Sequence, residues 1–199
     1  MQDIEIMEKP DYISYERIRE VLQDAHKSNI ENGIVLHTTT FTAQEIEEYI
    51  GEEGKCFVAI SENDVLGTAS YRIIDRSSWY VQGKVVDEIL VGVRPEFKGM
   101  HIYSKLYEAI ERDALKNGYE LIVFNTAEKN VRKRKISSSH GFVNLSFFAA
   151  EDNDHYSVVM GKWLQQCPYS SAKIRIKYLI KRLCVKTRYK PGKIKRFGL

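Results

Sequence analysis

A mixed α/β (α+β) fold is the class this chain predicts, and three observations carry the prediction. Short runs rich in β-branched and aromatic residues alternate with segments of helical periodicity. After two leading helices the elements run β-β-β-α-β-α-β-β, an order that makes a mixed sheet with helices on both faces. The 199 residues are 43% hydrophobic and 29% charged, ordinary for a globular protein of one substantial domain or one domain with an appendage.

The elements follow in order. Ile4–Glu8 alternates and reads as a first strand. Tyr15 to about Ser28 places Ile18, Val21, Leu22 and Ala25 on one helical face. Thr42 precedes Glu45 by three, the capping-box spacing that opens a helix over Ala43–Ile50, and Gly51 and Gly54 end it. Two β-rich runs, Cys56–Ile60 and Val65–Ile74, are joined by the turn Glu62-Asn63-Asp64. A further strand, Val85–Val93, stops at Arg94-Pro95. From Ile102, apolar residues at Leu106, Ala109, Ile110 and Ala114 mark a helix closed by Asn117-Gly118. Tyr119–Asn125 is a buried-type strand, Asn130–Ser139 a short basic helix, and Phe142–Ala150 and Tyr156–Gly161 are strands flanking the polar turn Glu151–Asp154.

The chemistry concentrates where strand Val85–Val93 runs into a helix start through residues 94–104. Backbone N–H groups at a helix start form an anion site, reinforced by the helix dipole. A pyrophosphate would suit that place, and so would an ordinary strand–turn–helix with no ligand.

Val93, Pro95, Phe97 and Lys98 stand in the phase of a known turn, Val-x-Pro-x-(Phe/Tyr)-(Arg/Gln)-x-x-Gly-x-(Gly/Ala), with His101 and Tyr103 replacing its two later glycines. Asn130 is followed eleven and twelve positions later by Gly141 and Phe142, a second block in register. With these two blocks and the order of elements, residues 1–161 resemble the GNAT superfamily of N-acetyltransferases, here with a divergent acetyl-CoA motif and an extra basic C-terminal tail, 162–199. The resemblance implies a GNAT-like, mostly antiparallel sheet with a splayed central strand pair and flanking helices.

It also implies a site. Backbone groups of Val91, Gly92 and Val93 would hold the pantetheine arm of acetyl-CoA like an added strand. Lys98, Gly99, Met100, His101, Ile102, Tyr103 and Ser104 would cradle the phosphates, provided that His101 and Tyr103 are helical, since a Cβ there does not remove an N–H. Asn130 would contact the CoA arm. The run Arg132-Lys133-Arg134-Lys135 would either meet the adenosine phosphates or form a solvated helix face.

Acetyl transfer to an amine needs a general base, because an alkyl ammonium has a pKa of roughly 10. Glu88 matches the strand position of the family's catalytic glutamate and, on a regular strand, shares a face with Leu90 and Gly92. Asp87, on the opposite face, is the fallback. The family's general-acid position is Ser137, whose unassisted hydroxyl is a poor acid; Ser138, His140, Tyr103 or water are the alternatives. Acceptor contacts are expected from His37 and Thr38 in the polar stretch His37–Thr40, and from Trp79 and Tyr80 before the strand. No Ser/His/Asp order and no His/Cys cluster points to hydrolysis or to a metal.

All 27 acids lie at or before Asp154. Residues 1–161 hold 18 Lys+Arg against those 27 acids, a net −9, and residues 162–199 hold 12 with no acid, a net +12. Such a division marks an interaction segment. From Ser171 to Lys186, Ile176, Leu179, Ile180 and Leu183 make an apolar stripe among cations, and Tyr189–Arg196 continues basic and extended. Residues 171–196 could lie on an anionic membrane surface, fold back on the acidic body, or bind RNA, the least favoured of the three. The acidic start MQDIEIMEKP lacks a signal-peptide pattern. No apolar run approaches the roughly 18–20 residues of a bilayer span. Cys56, Cys167 and Cys184 fit no disulfide or metal spacing and read as reduced thiols. A cytoplasmic protein is expected, peripheral at the inner face of the membrane if the tail binds lipid.

The function expected is acetyl-CoA-dependent N-acetylation of a small-molecule amine, with a nucleotide-linked amino sugar for surface glycan synthesis as first acceptor. A non-catalytic CoA-binding protein of the same fold and a protein or peptide acetyltransferase are the alternatives.

Overall fold

Periodicity places most elements within a residue or two. The computed structural model describes residues 3–31, 37–74, 78–81, 83–149 and 155–189, without the side chains of 29, 30, 37 and 38. Seven strands and five α-helices occur among them, a mixed α/β fold: β1 Glu5–Glu8, α1 Tyr15–Glu31, α2 Ala43–Ile50, β2 Lys55–Ser61, β3 Asp64–Ile74, β4 Val85–Val93, α3 Ile102–Lys116, β5 Leu121–Ala127, α4 Val131–Ser139, β6 Val143–Ala149, β7 Tyr156–Trp163 and α5 Ser171–Arg188. The chain forms two compact units, residues 1–122 and 123–199.

In the first unit β1, β2, β3 and β4 stand side by side in that order, every pairing antiparallel. Glu62 and Asn63 take φ of +49° and +69°, the pair of positive angles that a tight two-residue hairpin needs, and so β2 turns directly into β3. Helix α1 lies over β3 and β4, and its stripe Ile18, Val21 and Leu22 is fully buried in one cluster with Ile46, Ile50, Val58, Ile89 and Leu90. Each such side chain contributes about 1.5–3 kcal/mol of transfer free energy. Helix α3 packs on β2, β3 and β4 from the other face with Leu106, Tyr107 and Ile110 buried.

Local signals set the helix ends. Thr42 and Glu45 form the reciprocal capping box of α2. Helix α3 closes in a Schellman motif: Gly118 has φ +73°, its N–H reaches Leu115 C=O at 3.1 Å, and Tyr119 N–H reaches Ala114 C=O at 3.0 Å. Tyr119 is thereby spent on the helix stop, and β5 begins at Leu121 and not at the expected Tyr119.

In the second unit β5, β7 and β6 are neighbours, with β6 and β7 antiparallel. Asn130 caps α4 by accepting Lys133 N–H on its side chain at 3.2 Å. Gly141, at φ +89°, and Phe142 close it with N–H bonds to Ser138 C=O and Ser137 C=O, both 3.1 Å. The Asn-to-Gly-Phe spacing is therefore the length of one capped helix. Phe142 then packs edge-on against Phe124, ring centroids 5.1 Å apart.

Strand β7 runs to Trp163, past the boundary expected at 161, and α5 packs on β6 within the same unit. The turn Glu151–Asp154, the last residue of the strand expected to end at Ala150, and the basic stretch 190–196 lie outside the described residues. All three cysteines are free thiols, Cys56 buried. Among the described residues no helix is long and apolar enough to cross a membrane, and no group of His, Cys, Asp and Glu could hold a metal ion.

Candidate active site

The middle of β4 is irregular. Thr68 of β3 pairs with Gly92 and Ser70 with Ile89, so two residues, Leu90 and Val91, oppose Ala69 alone. This is a β-bulge, and Leu90 sits in it at φ +51°, the left-handed region that a bulky L-residue rarely adopts. Such conformations cost on the order of 1–3 kcal/mol and cluster at functional sites.

The bulge corrects one expectation. Glu88, Leu90 and Gly92 do not share a face. Leu90 joins Ile89 in the cluster under α1, and the side of Gly92 that a Cβ would occupy meets Ala25 and Leu22 of α1, at 2.9 and 3.3 Å. Glu88 points to the opposite face, where α3 lies. An extra residue in a strand shifts the period of two, which no pattern count can see.

Glu88 is 4% exposed, and Tyr103 O–H donates to its Oε1 at 3.3 Å. Tyr103 stacks on Tyr107 with ring centroids 6.4 Å apart. Burial, then the negative charges of Glu111 and Glu88, push the Tyr107 phenol up, so it stays protonated. The Glu88 side chain thus lies beside the stacked Tyr103–Tyr107 pair, nearly closed to solvent. Asp87, the fallback base, is committed elsewhere. On the α1–α2 face it accepts from Arg72 Nη2 at 3.1 Å, and that guanidinium lies over the Tyr49 ring at 4.1 Å.

After β4, Pro95–Phe97 forms a short 3-10 turn and α3 begins at Ile102. His101 is its N-cap, at φ +58°, ψ +17°. This is a second correction: Tyr103 is helical, as the cradle requires, but His101 is left-handed and holds the position where the family turn has a glycine. Gly99 is also left-handed, at φ +94°, with nothing near the place of a Cβ.

Helix α3 has no side-chain cap, whereas Ser14, Thr42, Asn130 and Ser170 each accept an N–H at the start of the other four helices. An α-helix start without a capping side chain is the arrangement that an anionic ligand completes. Lys98, Gly99, Met100 and His101 are exposed around it. Arg94 is not available, being drawn toward Asp24 and Asp64 at 3.7 and 3.9 Å. Val91 C=O accepts from His26 Nε2–H at 2.8 Å, so one lone pair of this expected pantetheine contact is used by α1.

The left-handed His101 yields a prediction. Glycine has no Cβ penalty in that region, so His101→Gly is expected to raise stability by about 1 kcal/mol, or about 2–4 °C in Tm. It should also tighten acetyl-CoA binding severalfold by clearing the approach to the helix start. Thermal scans and calorimetric titration check both; weaker binding would make the imidazole a ligand contact.

The second unit holds Asn130, Ser137 and the basic run 132–135. Asn130 spends its Oδ1 on the α4 cap. In the basic run, Lys133 Nζ lies over the Phe124 ring at 4.6 Å and Arg134 donates to Glu128 C=O at 3.2 Å, while Arg132 and Lys135 are exposed. Ser137 is fully buried, and its Oγ has no partner among the described residues. An unpaired buried hydroxyl costs about 1–3 kcal/mol. Ser137→Ala is therefore expected to raise Tm by about 2–12 °C and to leave kcat unchanged. A hundredfold fall in kcat would instead assign Ser137 the acid role.

Of the acceptor contacts, Trp79 and Tyr80 meet edge-to-face at 5.6 Å before β4, with Tyr80 buried. His37 and Thr38 open a 3-10 turn, but their side chains lie outside the described residues. Sequence reasoning passed over Tyr107 and His26. The spacing of Tyr103 and Tyr107, one helical turn at the start of α3, was the signal for the first. Nothing in the sequence signalled the second.

The sequence profile of the Acetyltransferase (GNAT) family matches residues 15–142. Among solved structures, the ribosomal-protein-S18-alanine N-acetyltransferase of Escherichia coli is similar, with a TM-score of 0.63 and 12% identity over 82% of this chain and 96% of that one. A GNAT-family acetyltransferase of Staphylococcus aureus gives 0.64 and 18% over 82% and 100%. An aminoglycoside 6'-N-acetyltransferase complexed with coenzyme A gives 0.59 and 12% over 83% and 99%. At such identities these likenesses show the fold. No curated protein matches the sequence.

Proposed function

Starting from the chain's membership of the Acetyltransferase (GNAT) family, which makes it an N-acetyltransferase, we propose that it acetylates a small-molecule amine with Glu88 as general base. The observation that carries this reading is the buried Glu88 carboxylate held by Tyr103. Acetyl-CoA supplies the acyl group, activated as a thioester.

An alkyl ammonium is neutral in only about one molecule in a thousand at pH 7, and a neutral lone pair is required for attack. Glu88 takes the proton. Tyr103 holds Oε1, which orients the carboxylate and keeps its proton acceptor in one place. The departing thiolate needs a proton in return. Tyr103 supplies it from its phenol, which Glu88 refills through their shared hydrogen bond. The nitrogen loses two protons in becoming an amide: one reaches the thiolate by this route and the other passes to solvent, so Glu88 and Tyr103 end as they began and no covalent enzyme intermediate forms.

Binding of the donor uses the uncapped start of α3, where Ile102, Tyr103 and Ser104 supply first-turn N–H groups and Lys98 a nearby cation. The β4 bulge presents the backbone of Val91 and Val93 to the pantetheine arm. Acceptor contacts come from the turn His37–Thr40 and from Trp79 and Tyr80. A nucleotide-linked amino sugar is the first acceptor to test, because the basic C-terminal tail would bring a cytoplasmic enzyme to the inner membrane surface, where surface glycans are assembled.

The experiment is a thiol-release assay with acetyl-CoA and a panel of amino sugars, aminoglycosides, polyamines and N-terminal peptides. Turnover with an amino sugar above the peptides is expected. Acetyl-CoA binding without thiol release on any amine would overturn catalysis, and preference for peptides would overturn the acceptor class.

A further inference from the structure

Helix α5 is held to its unit by one face. Ile174, Tyr178 and Val185 are buried, Tyr178 against the Phe147 ring at 6.3 Å. Arg182 Nη2 and Lys186 Nζ clamp Glu128 at 2.7 and 2.9 Å. Together the two cations outweigh burial, which alone would raise the Glu128 pKa, and hold it below the usual carboxylate value. The clamp and the buried side chains lie on the same face of the helix.

At 100° per residue the opposite face carries Ile176, Leu179, Ile180 and Leu183, which are 56, 47, 58 and 67% exposed. Four adjacent large aliphatics turned to solvent on one helix are not the scattered exposure usual of surfaces. Cations border them on both sides, Lys173 and Lys177 on one and Arg175 on the other. Lys173 and Arg175 lie near the positive end of the helix dipole, where cations weaken a helix. Lys173 lies over the Tyr169 ring at 4.2 Å, while the placement of Arg175 is better explained by an external anion than by helix stability.

We propose that this face of α5 docks on an anionic lipid surface, its four aliphatics entering the headgroup boundary and its flanking Lys and Arg meeting lipid phosphates. Charge selects this occupant. The segment from residue 162 holds 12 cations and no acid, so pairing two copies through α5 would set like charge against like. A bilayer interface combines an apolar layer with dense negative charge directly above it. The proposal does not depend on the reading of Glu88.

The test is flotation of the full chain with vesicles of phosphatidylcholine alone or with about 30% phosphatidylglycerol, in about 0.1 M and about 1 M salt. Binding to the anionic vesicles at low salt, reduced by high salt and weak on neutral vesicles, is expected. Leu179→Ser with Leu183→Ser should lower that binding tenfold or more while leaving the circular dichroism and acetyl transfer in solution unchanged. Equal binding to both vesicles, or unchanged binding by the double variant, would overturn the proposal. So would a dimer in solution that the double variant dissolves, which would assign the face to a second copy of the chain.

Discussion

Glu88→Gln is expected to lower kcat by about 10²- to 10⁴-fold at neutral pH. Glutamine keeps the size of the side chain and can still accept from Tyr103, but it cannot take a proton from the acceptor ammonium. The donor site at the start of α3 does not use Glu88, so acetyl-CoA affinity should hold. The deficit has a pH signature. As pH approaches the amine's own pKa of roughly 10, the acceptor loses its proton to solvent and the variant recovers relative to the parent. A kcat profile from pH 6 to 10 for both proteins, with acetyl-CoA titration alongside, makes the test. A uniform loss at every pH would indicate a positional role, and unchanged turnover would remove Glu88 from the mechanism.

Gly92→Ala should produce the largest loss of stability among single methyl additions to the site. The added Cβ would stand 2.9 Å from Ala25 Cβ, closer than carbon atoms pack, and neither residue has a longer side chain to turn aside. Overpacking of this kind costs about 1–3 kcal/mol, or about 2–12 °C in Tm for a chain of this size. The strain would be relieved by lifting α1 from β4 next to the bulge, so kcat should fall as well. Ala25→Gly restores the space at about 1 kcal/mol of helix propensity. The double variant should then be more stable than the two single losses added together predict, and a double-mutant cycle measures that coupling. Additive losses would mean that Gly92 serves something other than this helix contact.

Much of the fold was legible because it rests on local rules. The apolar stripe of α1, the capping box at Thr42 and the glycine stops at Gly118 and Gly141 each act within a few residues. The Asn130-to-Gly141-Phe142 spacing, read as a family mark, has the physical content of a capped helix with its closing glycine and the aromatic that packs behind it. The candidate site was legible in part. Glu88 could be picked out, ahead of its neighbour Asp87, by its match to the family's strand position, and residues 94–104 as a helix start. Its pairing with Tyr103 could not be read, because it depends on which face of β4 meets α3.

The stripe of the tail shows the same division. Periodicity identifies Ile176, Leu179, Ile180 and Leu183 as one apolar face, and such a face is ordinarily the buried one. Here Ile174, Tyr178 and Val185 are buried instead, and the stronger stripe faces outward. The buried face is the one that also pairs through Arg182 and Lys186 with Glu128, some fifty residues away in sequence, a contact that no periodicity records.

By itself, then, the sequence determined the fold class, the order of elements, the family resemblance and the charge division at the tail. Each follows from residue type and short-range spacing. Tertiary structure alone decided that β4 bulges at Leu90, that His101 is left-handed, that Glu88 lies under Tyr103, and which face of α5 is exposed. The physical reason is common to all four. Each depends on contacts or backbone angles that one element imposes on another across the fold, and a periodic pattern carries no record of its partner.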